Sequence, residues 1–318
     1  MLAHRPILAA LVALVALLLA SCSAAPPQAA GPPVMLAAAE AMPAGTAGAV
    51  DVGGRPVQLH VPPSYDPAAP APLLVVLHGF GSDPERVDAL LGLRAEALAR
   101  GVLYALPEGT EGPDGRRFWN ASDACCGVDR AGVDDSAYLA QVIRTLAATY
   151  AVDPARVAVV GYSNGGFMAY RTACDHADLV SVAVSLAGAM PADDGACRPS
   201  RPVTVVQAHG TEDPVIRPGG GRREGHAYPA AAESAAAWAR LDGCAAGPAV
   251  TPARRDLDSA VRGAETTVTT WAGCAGGATV ELWSIAGADH APTLAPAFAT
   301  AVLDLVTGEV TGAVAGAR

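Results

Sequence analysis

The chain is 318 residues long, carries 21 basic against 31 acidic residues and has a net charge of −10. That balance excludes a nucleic-acid partner, which needs clustered positive charge to neutralise phosphates. Every basic residue is Arg, so chemistry that runs through a lysine amine, such as a Schiff base or a P-loop, is excluded as well.

His4 and Arg5 form a short basic start, and Ile7 to Ala20 is an uncharged apolar run. A membrane span needs roughly 20 apolar residues; this run has the shorter length of a secretory signal core. It closes in Leu19-Ala20-Ser21-Cys22, which resembles the lipobox of bacterial lipoproteins. The resemblance implies a signal peptide over residues 1–21, a diacylglycerol on the Cys22 thiol, and an exported protein that meets the membrane only through its lipid. An ordinary signal peptide that releases an extracellular protein is the alternative. Residues 22–48 are rich in Ala, Pro and Gly without helical or strand period, and read as a flexible tether. Residues 49–318 then form a single domain.

That domain opens with Val57–Val61, an alternating run that reads as a strand and ends at Pro62-Pro63. Leu73–Leu77 is continuously apolar, the mark of a strand buried on both faces, and it runs into His78-Gly79-Phe80-Gly81. Apolar spacing from Val87 to Leu98 predicts a helix. A strand follows over Gly101–Leu106, then a polar loop to about Gly132, then a helix opened by Asp134 and Asp135. Val157–Val160 is a strand that enters Gly161-Tyr162-Ser163-Asn164-Gly165, and a helix leaves it. Strands over Val180–Leu186 and Val203–Val206 lead to His209-Gly210-Thr211-Glu212-Asp213. A helix over Ala230–Leu241, strands near Glu265–Trp271 and Val280–Ile285, the turn Gly287-Ala288-Asp289-His290 and a helix over Pro296–Val306 complete the chain. Strands alternating with helices imply a mostly parallel sheet with reactive residues at the carboxyl ends of its strands.

Six cysteines follow Cys22. An even number in an exported chain suggests disulfides. Proximity favours Cys174 with Cys197 and Cys244 with Cys274; Cys125 and Cys126 are left to a vicinal bond or to stay reduced. No Cys-x-x-Cys with matching His spacing is present, so a zinc site is not expected.

Gly161-Tyr162-Ser163-Asn164-Gly165 is a Gly-x-Ser-x-Gly element between a strand and a helix. Its glycines permit the sharp turn that lifts a serine Oγ clear of the backbone. Serine is a weak nucleophile and needs a base. His290 follows the last strand and supplies it; Asp213 orients the imidazole, in preference to Glu212 beside it or Asp289 next to the histidine. The order Ser163, Asp213, His290 is that of the α/β-hydrolase fold. An oxyanion would be held by the backbone N–H of Asn164 and of Phe80. His78 and His209 read as supports for the Phe80 loop and the Asp213 turn. Tyr162, Trp119 and Trp283 are candidates for the substrate pocket. Gly219–Arg223 is a surface loop or a lip over the site.

Together these residues resemble the bacterial and fungal esterase family that holds polyhydroxybutyrate depolymerases, feruloyl esterases and acetylxylan esterases. The matching pieces are His78-Gly79-Phe80-Gly81, Phe118-Trp119-Asn120 with Cys125-Cys126-Gly127, Val133-Asp134-Asp135, Gly161–Gly166, His209–Pro214, Trp238 with Gly243-Cys244, and Gly287 with His290. The resemblance implies hydrolysis of small or oligomeric carboxylic esters without a cofactor, with Ser163, Asp213 and His290 as triad. It does not fix the oligomeric state. Family members commonly carry Trp-Pro after the last His, where this chain has Ala291-Pro292, so one aromatic wall of the pocket is missing. A peptidase of the same fold and a non-catalytic surface lipoprotein are the competing readings.

Overall fold

Leu73–Leu77 have no exposed surface and lie in a strand near the middle of one large sheet. The computed structural model describes residues 41–126 and 132–308, all within one unit, Ala38–Arg318. In chain order the strands are β1 (Ala47–Val52), β2 (Arg55–His60), β3 (Ala71–Leu77), β4 (Leu103–Pro107), β5 (Thr110–Glu111), β6 (Arg117–Phe118), β7 (Val152–Tyr162), β8 (Val182–Leu186), β9 (Thr204–Gly210), β10 (Gly221–Arg223), β11 (His226–Tyr228), β12 (Ala249–Val250), β13 (Thr266–Trp271) and β14 (Val280–Ile285). The main sheet has the order β1-β2-β4-β3-β7-β8-β9-β14-β13-β12. Its inner strands, β4 through β14 in that order, pair parallel; the outer pairs are antiparallel.

The helices are α1 (Pro84–Leu91), α2 (Arg94–Ala99), α3 (Asp135–Thr149), α4 (Asn164–Asp175), α5 (Ala231–Leu241) and α6 (Pro296–Thr307). They cover both faces of the sheet. Side chains that alternate along β3 and β7 divide between two cores, because successive residues of a strand point to opposite faces. Leu73, Val75, Val157 and Val159 pack with residues of α3, α4 and α5. Leu74, Val76, Ala158 and Val160 pack with residues of α1, α2 and α6. This is the α/β-hydrolase architecture expected from the strand–helix alternation.

Three local expectations are corrected. The tether does not reach residue 48: β1 begins at Ala47, and Met42 packs against the core with its backbone N–H on the Tyr150 hydroxyl, 2.9 Å away. Small residues hide this strand from a hydrophobicity pattern, but Gly53 and Gly54, both at positive φ, form the two-residue turn that pairs β1 with β2. The single helix expected over Val87–Leu98 is two, α1 and α2. Asp83 caps α1 by accepting from Arg86 N at 2.9 Å, and Gly92 ends it in the left-handed conformation. The strand expected over Gly101–Leu106 is β4, Leu103–Pro107, which begins two residues later and ends at Pro107.

The structure joins Cys174 to Cys197, tying the end of α4 to a short turn at Asp194–Ala196, and Cys244 to Cys274 beyond α5. Cys125 and Cys126 are bonded to each other across a cis peptide. Cys22 and Gly127 lie outside the described residues.

Candidate active site

Ser163 sits between β7 and α4 with φ 53° and ψ −117°. Two glycines make that turn possible. A Cβ on Gly161 would run into the backbone of Gly165, and one on Gly165 would run into the carbonyls of Leu77 and His78. The serine stands over the N-terminus of α4, where helix peptide dipoles favour negative charge.

His290 lies in the loop after β14. Its Nε2 is 2.9 Å from Ser163 Oγ and its Nδ1 is 2.8 Å from Asp213 Oδ2. Asp213, in the turn after β9, is 3% exposed. Its Oδ1 accepts from Val215 and Ile216 N–H at 2.8 and 2.9 Å, and its Oδ2 also meets His209 Nε2 at 3.2 Å. Burial alone would raise the carboxyl pKa; hydrogen bonds from His209 and His290 outweigh it and hold the group well below the usual carboxylate range. The two competing acids point elsewhere: Glu212 is exposed, and Asp289 turns back to Ala291 N at 2.9 Å.

The His78–Gly81 loop flanks the serine. Gly79 packs so close that a Cβ there would stand 3.4 Å from Ser163 Cβ and 3.1 Å from the Tyr162 ring. Among the described residues the backbone N–H groups of Phe80 and Asn164 meet no acceptor, whereas those of Gly81 and Ser82 are taken by Arg117 O and Gly79 O. His78 braces the loop from within. Its Nε2 accepts from Gly109 N at 2.9 Å, which puts its own proton on Nδ1, 2.8 Å from Gly79 O. Burial lowers its pKa and keeps the ring neutral.

Of the pocket candidates, only Tyr162 touches the site. Its ring centroid is 5.2 Å from that of His290, and burial, with the charges of Asp213 and Asp289, raises its phenol to about 12. Trp119 and Trp283 are corrected: both are fully buried. Trp283 sends its N–H to Glu281 at 2.6 Å and packs edge-on against Phe298 of α6. Trp119 instead ties the site together. Its N–H donates to His78 O at 2.9 Å, its backbone N–H donates to Asn164 Oδ1 at 2.7 Å, and its carbonyl accepts from Asn164 Nδ2 at 2.9 Å. The Asn164 side chain is thus spent on Trp119. The Gly219–Arg223 segment leads into and forms the first strand of the β10–β11 hairpin, and His226 and Ala227 of the second strand border a cavity of about 430 Å³ with Arg171, Met190 and Asp193, none of them a triad candidate.

One support had no signal in the sequence. Buried Glu265 accepts from Leu257 N at 2.9 Å and Asp258 N at 3.1 Å. That segment bonds the chain just after His290, through Ser259 N to Thr293 O at 2.8 Å and Ala295 N to Leu257 O at 2.8 Å.

The chain is similar to known esterases. The esterase family model, described as "Putative esterase", matches residues 53–258, well over half of the chain. The chain is 36% identical over 175 residues to "Putative esterase NocK" of Nocardia uniformis subsp. tsuyamanensis, covering 54% of this chain and 49% of that protein. It is 26% identical over 245 residues to feruloyl esterase B of Piromyces equi, covering 74% and 42%. The chain therefore spans about half the length, or less, of these relatives. The solved acetyl xylan esterase from Aspergillus awamori superposes with a TM-score of 0.59 at 15% identity, covering 83% of this chain and 99% of that one, which shows the shared fold. By the family match and the architecture, the chain belongs to the esterase family.

Proposed function

We propose that this protein hydrolyses carboxylic esters through an acyl-enzyme on Ser163. The observation that carries the reading is the continuous hydrogen-bonded series from Ser163 Oγ through His290 to buried Asp213, set on a strained strand–helix turn. His290 Nε2 takes the proton as Oγ attacks the ester carbonyl. Asp213 holds the ring in the tautomer with its proton on Nδ1 and stabilises the imidazolium that forms. The carbonyl oxygen gains negative charge and is held by the N–H groups of Asn164 and Phe80. The imidazolium then gives its proton to the leaving alcohol. Water, deprotonated by the same imidazole, releases the acid and restores the serine.

Sequence relatives are named as feruloyl and acetylxylan esterases, so feruloyl and acetyl esters of polysaccharide are the favoured substrates, with hydroxyalkanoate oligomers beside them. Export, with a lipid on Cys22 or as a free extracellular enzyme, fits the disulfides. Peptide hydrolysis on the same triad is the second reading.

The test compares the protein with Ser163→Ala on p-nitrophenyl acetate, butyrate and octanoate, methyl ferulate and a hydroxybutyrate trimer across pH 5 to 9. Release by the native protein alone, with covalent labelling of Ser163 by a fluorophosphonate, supports the reading. No turnover of any ester and no labelling would sink it, and a peptide library then addresses the alternative.

A further inference from the structure

Asp213 receives two imidazoles on one oxygen. Its Oδ2 lies 2.8 Å from His290 Nδ1 and 3.2 Å from His209 Nε2, while Oδ1 is filled by two backbone N–H groups. His209 is fixed in β9 and 2% exposed. Its neighbours decide where its proton sits. Gln207 Nε2 is 3.1 Å from Gly188 O, 3.4 Å from Ala208 O and 3.0 Å from His209 Nδ1. Two carbonyls around that atom identify it as the amide nitrogen. His209 Nδ1 is therefore an acceptor, and the ring proton stands on Nε2, shared between Ile216 O at 2.7 Å and Asp213 Oδ2.

We propose that His209 is a tuning residue of the triad: by donating to the Asp213 oxygen that His290 uses, it limits the negative charge presented to His290 and keeps that ring free to act as base near neutral pH. A donated hydrogen bond withdraws charge from a carboxylate. Too much charge on Oδ2 would hold a proton on His290 and leave Ser163 without a base. The two backbone bonds to Oδ1 keep the carboxylate in place without His209, so its loss changes charge more than position. The groups facing this pair are His209 and Asp213 from β9 and its turn, Ser163 and Tyr162 from the β7–α4 turn, and Asp289 from the loop of His290 itself. The inference rests on the triad reading of Ser163, Asp213 and His290.

The experiment compares native protein with His209→Ala and His209→Gln. The glutamine Nε2 stands where the imidazole Nε2 does, so it restores the donor. His209→Asn, too short to reach Asp213, is a second loss variant should the alanine protein not fold. For p-nitrophenyl butyrate, the pH of half-maximal kcat/KM is expected to move up by about one unit in the loss variants, with activity at pH 6 down roughly tenfold, KM within about threefold, and the glutamine variant close to native. Nitrogen-15 NMR reads the same effect without turnover. His209 should show its proton on Nε2, and the His290 titration should move with the activity profile. Fluorophosphonate labelling of native protein checks the esterase reading separately: if labelling fails while the His290 titration still moves, that reading falls and the tuning stands. An unmoved titration in the loss variants, a His209 proton on Nδ1, or a glutamine variant no better than alanine overturns the proposal.

Discussion

The backbone at Ser163 has φ 53° and ψ −117°, a conformation that a residue with a Cβ adopts at a cost of about 1–3 kcal/mol. Its side chain caps no helix N–H, so removing the hydroxyl forfeits no capping bond. Ser163→Gly should therefore abolish turnover and raise stability by about 1 kcal/mol, read as a thermal midpoint about 2–4 °C higher. Asp242 makes a second prediction. It is 1% exposed, accepts from Val203 N at 3.3 Å and Trp238 Nε1 at 3.1 Å, and burial raises its pKa to about 6. A carboxyl raised in the folded state binds its proton more tightly there, so the stability it contributes is present below the unfolded value near 4 and lost as pH rises through about 6. The stability of native protein relative to Asp242→Asn should fall by about 2 kcal/mol between pH 4 and 7, measured by urea unfolding. Asp213 acts in the opposite sense: its depressed pKa gives stability above the unfolded value that is lost only in stronger acid.

At the scale of elements, Trp119 joins three segments: its own, the His78 loop and the start of α4. Trp119→Phe keeps most of the buried ring and removes the bond to His78 O. It should lower kcat about tenfold at nearly constant KM, because the loop that carries the Phe80 N–H loses one of its anchors. Steady-state kinetics on a p-nitrophenyl ester checks this. The Cys244–Cys274 bond closes a separation of 30 residues, and replacing both by Ser should cost about 3 kcal/mol in urea unfolding. That Ser163, Asp213 and His290 come together was legible because each follows a strand, and a topological rule says where such residues meet. Trp119 and Trp283 were misplaced because a sequence does not distinguish an indole that walls a pocket from one that fills a core. The first strand was unread because its Ala and Gly residues carry no hydrophobic period, and the Gly92 break because apolar spacing continues across it. Glu265 left no trace at all: its role exists only through backbone groups that folding brings to it.

Over the whole molecule, a net charge of −10 sets how substrates arrive. Neutral esters approach without bias, while anionic ones, such as hydroxybutyrate oligomers with a free carboxylate, meet a repulsive field that salt screens. Raising ionic strength from about 10 to 150 mM should increase kcat/KM several-fold for the anionic trimer and leave methyl ferulate unchanged. The sheet gathers its reactive loops from β3, β7, β9 and β14, so the fold can vary its edge hairpins without disturbing them. One position has far less latitude. The turn that raises Ser163 admits glycine freely and tolerates an unbranched side chain, yet a β-branched residue would be an outlier there. A lineage built on this turn can exchange its hydroxyl for the thiol of cysteine, while the threonine nucleophile, chemically the nearer relative, is closed to it by backbone geometry alone.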